Sequence, residues 1–354
     1  MTKALVASRK PFLVELTAGR AYSWCACGRS ARQPFCDGSH AGTGIEPVRF
    51  TAEADREAVL CGCKQTGHAP FCDGAHNALA EKYEAASADE IQASASIPLT
   101  PRKGGGTGKS GLNGGCYVCT VAPGSLPRHD NVRLGPAISA ADGARFLSQW
   151  YMQVEPGRSG VLSFPGSDTV LFLPDGEIDV IISAHAFQSG PESGIFVRMG
   201  EAFQVHNRGV APIRLLLTVC PQCDGPAWLD AMPENFDSTI PERVFGVDPA
   251  KREPMADRFY QVLNGEENGS RAVTQFIGEV PRSRAAAHRH LYEEAIMILS
   301  GEGYMWTENA RAAVAPGDII FLPCKQIHSL ECTSASGMRL MGAFYPPGSP
   351  AVNY

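Results

Sequence analysis

Cysteine and histidine recur twice in one spacing. Cys25, Cys27, Cys36 and His40 form the first set, within CACGRSARQPFCDGSH, and Cys61, Cys63, Cys72 and His76 form the second, within CGCKQTGHAPFCDGAH. Both read C-x-C-x8-C-x3-H, and each ligand of the second set lies 36 positions after its counterpart. Three thiolates and one imidazole suit an iron–sulfur cluster, whose potential rises when His replaces Cys, or tetrahedral zinc. The imidazole can titrate, which would make a potential depend on pH. Zinc sites usually separate their first two cysteines by two to four residues. Here a single residue separates them, which favours a cluster and the movement of electrons.

A second group of ligand types lies near the other end, in His288-Arg289-His290-Leu291-Tyr292-Glu293-Glu294. Alternate residues of an extended chain share a face. His288, His290 and Glu294 therefore point one way, and Arg289 and Glu293 the other. Gly301 suits a hairpin turn, and the run from Gly317 to Pro323 leads to His328, which can return antiparallel to the first strand. Three imidazoles and a carboxylate facing a barrel interior make a divalent transition-metal site with open positions. Iron(II), manganese(II), nickel and zinc all suit this set.

Two further cysteine pairs stand at Cys116/Cys119 and Cys220/Cys223. Converging, they would make a four-cysteine site for zinc or a single iron. Unligated buried thiols are the other reading. Cys324 and Cys332 flank His328 and read as packed or pocket-edge thiols. Tyr304 and Trp306 share a face and read as core. Arg339, on a late strand, is a candidate for a carboxylate.

These residues need elements to position them. The chain has 354 residues, 44% hydrophobic, with a net charge of −6. That is room for two or three domains, and the absence of a basic patch argues against nucleic acid or anionic membrane as partner. The start, MTKALVASRKPFLVEL, shows no signal-peptide core, and no window reaches membrane-spanning length. Twelve cysteines without an export signal favour metal ligation in a reducing cytoplasm.

Residues 1–83 hold both repeats, with apolar stretches such as Pro11–Leu16 and Ala58–Leu60 entering the ligand loops. Residues 84–115 are rich in Ala, Ser and Gly and read as a flexible linker. Within them Gly104–Ser110 mimics a phosphate-binding loop, but the first glycine of that motif is Lys103 and no strand precedes it, so no nucleotide site is assigned. From 116 onward, short alternating strands such as Val170–Phe172, Ile213–Val219, Ala295–Leu299 and Asp318–Leu322 are punctuated by Gly/Pro turns. The pattern predicts a mainly β protein: the small tandem domain, then two β-barrels in tandem, 116–240 and 241–354.

The segments Cys36–His40 and Cys72–His76, with the flanks Val14–Leu16 and Gln33–Phe35, resemble the CDGSH iron–sulfur family over roughly residues 10–80. That resemblance implies one 2Fe–2S cluster per set. The only departure in the CDGSH stretches is Ala75 where the first copy has Ser39. The C-terminal part resembles the cupin family, whose jelly-roll-like barrels carry H-x-H-x3-E-x6-G and G-x5-P-x4-H. Those motifs fall here on His288, His290, Glu294 and Gly301, and on Gly317, Pro323 and His328. The resemblance implies that His288, His290, Glu294 and His328 hold the metal. Lys325 stands where the second motif usually has glycine. The first barrel reads Gly160–Pro165 where the first motif would fall. A barrel without a cupin-site metal is expected there, with His185 and His206 as core or surface residues.

Together these features point to an oxygenase. Two 2Fe–2S clusters would relay electrons to a mononuclear iron at His288, His290, Glu294 and His328, with dioxygen and a small organic substrate as reactants. Manganese remains an alternative metal. An external NAD(P)H-dependent reductase and a homo-oligomer are the expected partners. Two other readings stay open: a cupin dioxygenase, isomerase or decarboxylase needing no external electrons, its clusters sensing redox state, or a non-catalytic redox or iron sensor.

Overall fold

The 36-residue repeat of the sequence becomes a repeat of hydrogen bonds. In the first copy Cys25 N–H donates to the Pro34 carbonyl and Cys36 N–H to that of Ser23; in the second, Cys61 N–H donates to Pro70 and Cys72 N–H to Val59. Each ligand loop thus leaves a strand and folds back onto it, bridging Trp24 to Phe35 and Leu60 to Phe71. The aspartate of each CDG turn closes the loop. Asp37 accepts from the Ala31 and Ser39 amides, and Asp73 from those of Gly67 and Ala75. Because the bond uses the amide, Ala75 serves as well as Ser39. Strand Phe12–Leu16 pairs with Arg56–Leu60, and Ala21–Trp24 with Val48–Thr51. Tyr22, Phe35, Phe50 and Phe71 pack between them.

The computed structural model describes residues 3–8, 11–76, 86–102, 108–255 and 257–351. It divides into two units, Met1–Tyr83 with Gly348–Tyr354, and Glu84–Pro347. Among the described residues no helix is long and apolar enough to cross a membrane.

The larger unit holds both barrels. Among the described residues the first is built from a seven-stranded and a six-stranded sheet, and the second from an eight-stranded and a three-stranded sheet. Period-two alternation explains how they meet. On Ile213–Cys220, Leu215, Leu217 and Val219 fill the first barrel, while Leu216 and Cys220 point out of it. That outer face packs on Ala295, Met297, Ile319, Phe321, Met341 and Ala343 of the second barrel. At about 1.5–3 kcal/mol per large buried apolar side chain, this shared layer fuses the barrels.

The barrel boundaries differ from the expected 116–240 and 241–354. Tyr117–Thr120, expected to open the first barrel, pairs with Asp318–Leu322 of the second, and Gly108–Gly111 extends the same edge. Val244–Phe245 instead pairs with Ser193–Val197 of the first barrel. Each barrel thus completes a sheet edge with a strand from outside its expected span.

The expected flexible linker is also corrected. Ala88–Ser94 is a helix whose Ser87 and Glu90 form a capping box. Leu99 bridges to Arg311, and Arg102 pairs with the buried Asp318 carboxylate. The cap is local, but the Leu99 and Arg102 contacts reach residues more than 200 positions on, which composition alone could not reveal. Residues 103–107 of the glycine-rich stretch lie outside the described residues.

Candidate metal centres

In the smaller unit each ligand set resolves into two pairs. Cys25 and Cys27 bring their sulfurs to 3.7 Å, and Cys36 Sγ lies 3.2 Å from His40 Nδ1. The second copy gives 3.5 Å for Cys61 and Cys63, and 3.3 Å for Cys72 Sγ to His76 Nδ1. Two sulfurs bound tetrahedrally at about 2.3 Å stand roughly 3.8 Å apart. Among the described residues no three donors of either set fall within 4.8 Å of one another. A single tetrahedral ion would gather all four donors, whereas a two-metal cluster takes one pair on each metal. The donors therefore fit a binuclear cluster.

The loop environments of the two sets are not the same. Gln33 Nε2 donates to Cys25 Sγ at 3.4 Å, and the matching position of the second set is Ala69, which has no donor to offer. Burial pushes the Cys72 thiol up to about 12 and the Cys63 thiol up to about 11. Loading a metal there releases protons.

In the second barrel His288, His290 and His328 present ring nitrogens that all lie within 4.8 Å of one another. The route differs in detail from a continuous strand over 288–294. His288 and His290 precede a bend, and the strand itself begins at Glu293. His288 is held instead by a bridge to His328. Nδ1 of His288 lies 2.9 Å from the Ala286 carbonyl, and Nδ1 of His328 lies 2.9 Å from that of Gln326. A carbonyl only accepts, so each Nδ1 carries the hydrogen and each Nε2 keeps its lone pair free for a metal. Burial and then the His290 ring push His288 down to about 3. His328 is held well below its ordinary value by burial and the neighbouring His288 and His290 rings.

Glu294 Oε2 stands 3.1 Å from His290 Nδ1. Both atoms are buried without a hydrogen-bond partner. Orphaned buried polar atoms are rare, and a divalent cation facing them would satisfy both, so the donor set fits a mononuclear metal. Glu294 touches His290 rather than joining the group of three rings. Gly342 keeps this space open: a Cβ there would lie 2.3 Å from the Phe276 ring and 3.2 Å from Glu294 Oε1. Lys325 explains its own departure from the motif. Its φ is +67°, the region glycine enters freely, and its N–H donates to the His290 carbonyl.

Glu293, placed by alternation on the opposite face, has a role the sequence did not announce. It is buried, and its carboxylate accepts from the amides of Arg145, Phe146 and Leu147 in the first barrel, at 2.8, 2.9 and 3.0 Å. The barrel without the cupin motif thereby grips the strand that carries Glu294.

The expected four-cysteine site is not assembled. Cys119 lies on Tyr117–Thr120 in the eight-stranded sheet, and Cys220 ends Ile213–Cys220 in the seven-stranded one. No three of Cys116, Cys119, Cys220 and Cys223 come within 4.8 Å of one another. Burial pushes Cys119 and Cys220 up to about 12 and Cys116 higher still, so they stand as protonated thiols. Cys119 Sγ faces the Ala137 carbonyl at 3.8 Å and Cys220 Sγ that of Phe146 at 3.6 Å instead. Cys332 is buried, and burial pushes the half-buried Cys324 up to about 11. His185 stacks on Phe236 and His206 lies 3.4 Å from Asp179. Arg289 is exposed. Trp306 donates to Glu331 at 2.7 Å beneath Arg284. Arg339, a candidate for a substrate carboxylate, pairs with the protein's own Glu192 and Glu279.

Residues 6–41 match the family model described as iron-binding zinc finger, CDGSH type, and residues 279–344 match that of the cupin domain. The human CDGSH iron-sulfur domain-containing protein 3, mitochondrial, is 52% identical over 56 residues, 15% of this chain and 44% of that protein. The match thus spans under half of that relative. Procruciferin, an 11S globulin from Brassica napus, superposes with a TM-score of 0.52 at 10% identity, over 64% of this chain and 84% of that one. An 11S allergen from Cocos nucifera gives 0.50 at 10% identity, over 64% and 89%. At such identity the likeness shows the fold alone. The chain carries a CDGSH-type domain near its N-terminus and a cupin domain near its C-terminus.

Proposed function

We propose that this chain is an iron–sulfur-dependent, mononuclear non-haem iron oxygenase acting on a small organic substrate. The observation that carries the reading is the joint presence of two paired thiol–imidazole sets and a three-histidine group beside a buried, orphaned carboxylate oxygen. Cys25, Cys27, Cys36 and His40 would hold one 2Fe–2S cluster, and Cys61, Cys63, Cys72 and His76 the other. His288, His290, His328 and Glu294 would hold iron(II). When bound, these groups supply electron transfer and dioxygen chemistry. The protein's share is to fix the imidazoles through the Ala286 and Gln326 carbonyls, to exclude water around Glu294, and to brace the ligand strand through Glu293. A nicotinamide-dependent reductase would deliver electrons, and association into a homo-oligomer belongs to the same proposal.

The test is reoxidation. Protein reduced anaerobically with dithionite is mixed with dioxygen while cluster absorbance is followed. Faster reoxidation in the intact protein than in His288→Ala is expected. Equal rates, with and without candidate substrates, would remove the link between clusters and triad.

A further inference from the structure

The second ligand loop carries a lysine, Lys64, where the first carries Gly28. Lys64 is 8% exposed. Its Nζ donates to the Cys61 carbonyl at 3.0 Å and lies 4.5 Å from the centroid of the Trp24 ring. Trp24 immediately precedes Cys25, and its indole Nε1–H donates to the same Cys61 carbonyl, also at 3.0 Å. One carbonyl, on a ligand of the second set, thus gathers an ammonium and an indole anchored beside a ligand of the first. Trp24, Cys61 and Cys63 share one buried cluster of side chains. The ammonium is fixed between the main chain of one ligand, Cys61, and the ring of the residue that adjoins another, Cys25.

A buried cation needs compensation. Burial pulls Lys64 down, while the charges of Cys25, Cys61, Cys63 and Cys27, in that order, favour its protonated form. Its backbone φ is +63°, a region that disfavours any residue with a Cβ. Gly28 has the same left-handed backbone, and a Cβ there would also lie 1.9 Å from the Leu5 carbonyl oxygen, so the first loop has no room for a side chain where the second carries a lysine. The loop therefore holds a cation against both its backbone and its burial, one hydrogen bond from the main chain of the ligand Cys61.

We propose that Lys64 sets the potentials of both clusters: its ammonium, held on the Cys61 carbonyl and over the Trp24 ring beside Cys25, stabilises the added electron and raises both reduction potentials. Net charge and hydrogen bonding around the sulfurs govern such potentials, and a fixed charge acts strongly where water is excluded. The proposal rests on the 2Fe–2S reading above. Lys64 is a positioned charge, not a ligand.

The experiment is redox titration of the full chain, purified anaerobically, with electron paramagnetic resonance of the reduced clusters and sulfide analysis of each sample. Lys64→Met removes the charge and keeps the stem, and Lys64→Arg keeps the charge. Midpoints that fall in Lys64→Met and stay near wild type in Lys64→Arg, at full sulfide content, are expected. Unchanged midpoints in Lys64→Met, or an equal fall in both variants, would overturn the proposal. Should Lys64→Met not hold sulfide, Lys64→Asn, which tolerates left-handed backbone, takes its place: fallen midpoints support the proposal and unchanged midpoints overturn it. Wild-type protein without sulfide would instead defeat the iron–sulfur reading itself, and this inference with it.

Discussion

His288 and His328 exchange two main-chain hydrogen bonds, His288 N–H to the His328 carbonyl at 3.0 Å and His328 N–H to the His288 carbonyl at 2.9 Å. The two halves of the metal site, 40 residues apart in sequence, are thus tied by backbone. Removing one imidazole leaves that tie in place. Backbone pairing thus sets the spacing of these two ligands.

His288→Ala should therefore lose the mononuclear metal and any turnover while keeping the folded barrel and the cluster spectrum. Metal analysis and visible absorbance on one sample check this. Loss of the cluster spectrum as well would show that the two kinds of site are not separate.

Glu293 and Glu294 are consecutive, both buried, and different in task. Glu293→Ala leaves the amides of Arg145, Phe146 and Leu147 without their acceptor and should cost about 3 kcal/mol, read as a lower unfolding temperature. Glu294→Gln removes no hydrogen bond made by Oε2 in the metal-free protein and should weaken metal binding with little loss of stability. The reverse pattern in thermal unfolding and metal titration would contradict the assignment.

The metal-free second barrel should weaken in acid. His288 is held at about 3 in the folded state and His328 well below its ordinary value, against about 6.5 unfolded. Below pH 6.5 the unfolded chain takes up protons that the folded chain refuses, so stability falls as pH falls. The slope approaches about 1.4 kcal/mol per pH unit for each such histidine. Calorimetry of chelator-treated protein from pH 7.5 to 5 checks this, and His288→Ala should show a shallower fall. A flat profile would contradict it.

Much of this was legible in residue types and intervals. The C-x-C-x8-C-x3-H sets and the His288 to His328 motifs declare their chemistry because metals demand donors at fixed spacing. Alternation placed Glu293 on the face opposite Glu294, but not what that face meets, since the partner amides come from Arg145 to Leu147, nearly 150 residues away. For the same reason Tyr117–Thr120 went to the wrong barrel: four alternating residues specify a strand, not its neighbour. The helix Ala88–Ser94 did have a local signal, the Ser87 and Glu90 capping box, hidden by an Ala/Ser-rich composition. Lys64 was visible as a mismatch with Gly28 when the repeats are aligned, although its burial was not.

Each ligand loop is closed by backbone bonds within its own copy. Cys36→Ala should accordingly lose about half the acid-labile sulfide and leave the second cluster's signal, seen by electron paramagnetic resonance of the reduced protein. Loss of all sulfide would mean that the copies depend on one another for loading.

The most direct test of the central claim is iron, zinc, manganese and acid-labile sulfide per chain on anaerobically purified protein. Two 2Fe–2S clusters and one mononuclear iron predict roughly four sulfides and five irons, falling to four irons in His288→Ala with sulfide unchanged. Sulfide absent from the wild type, or a fifth iron that survives loss of His288, would contradict the account.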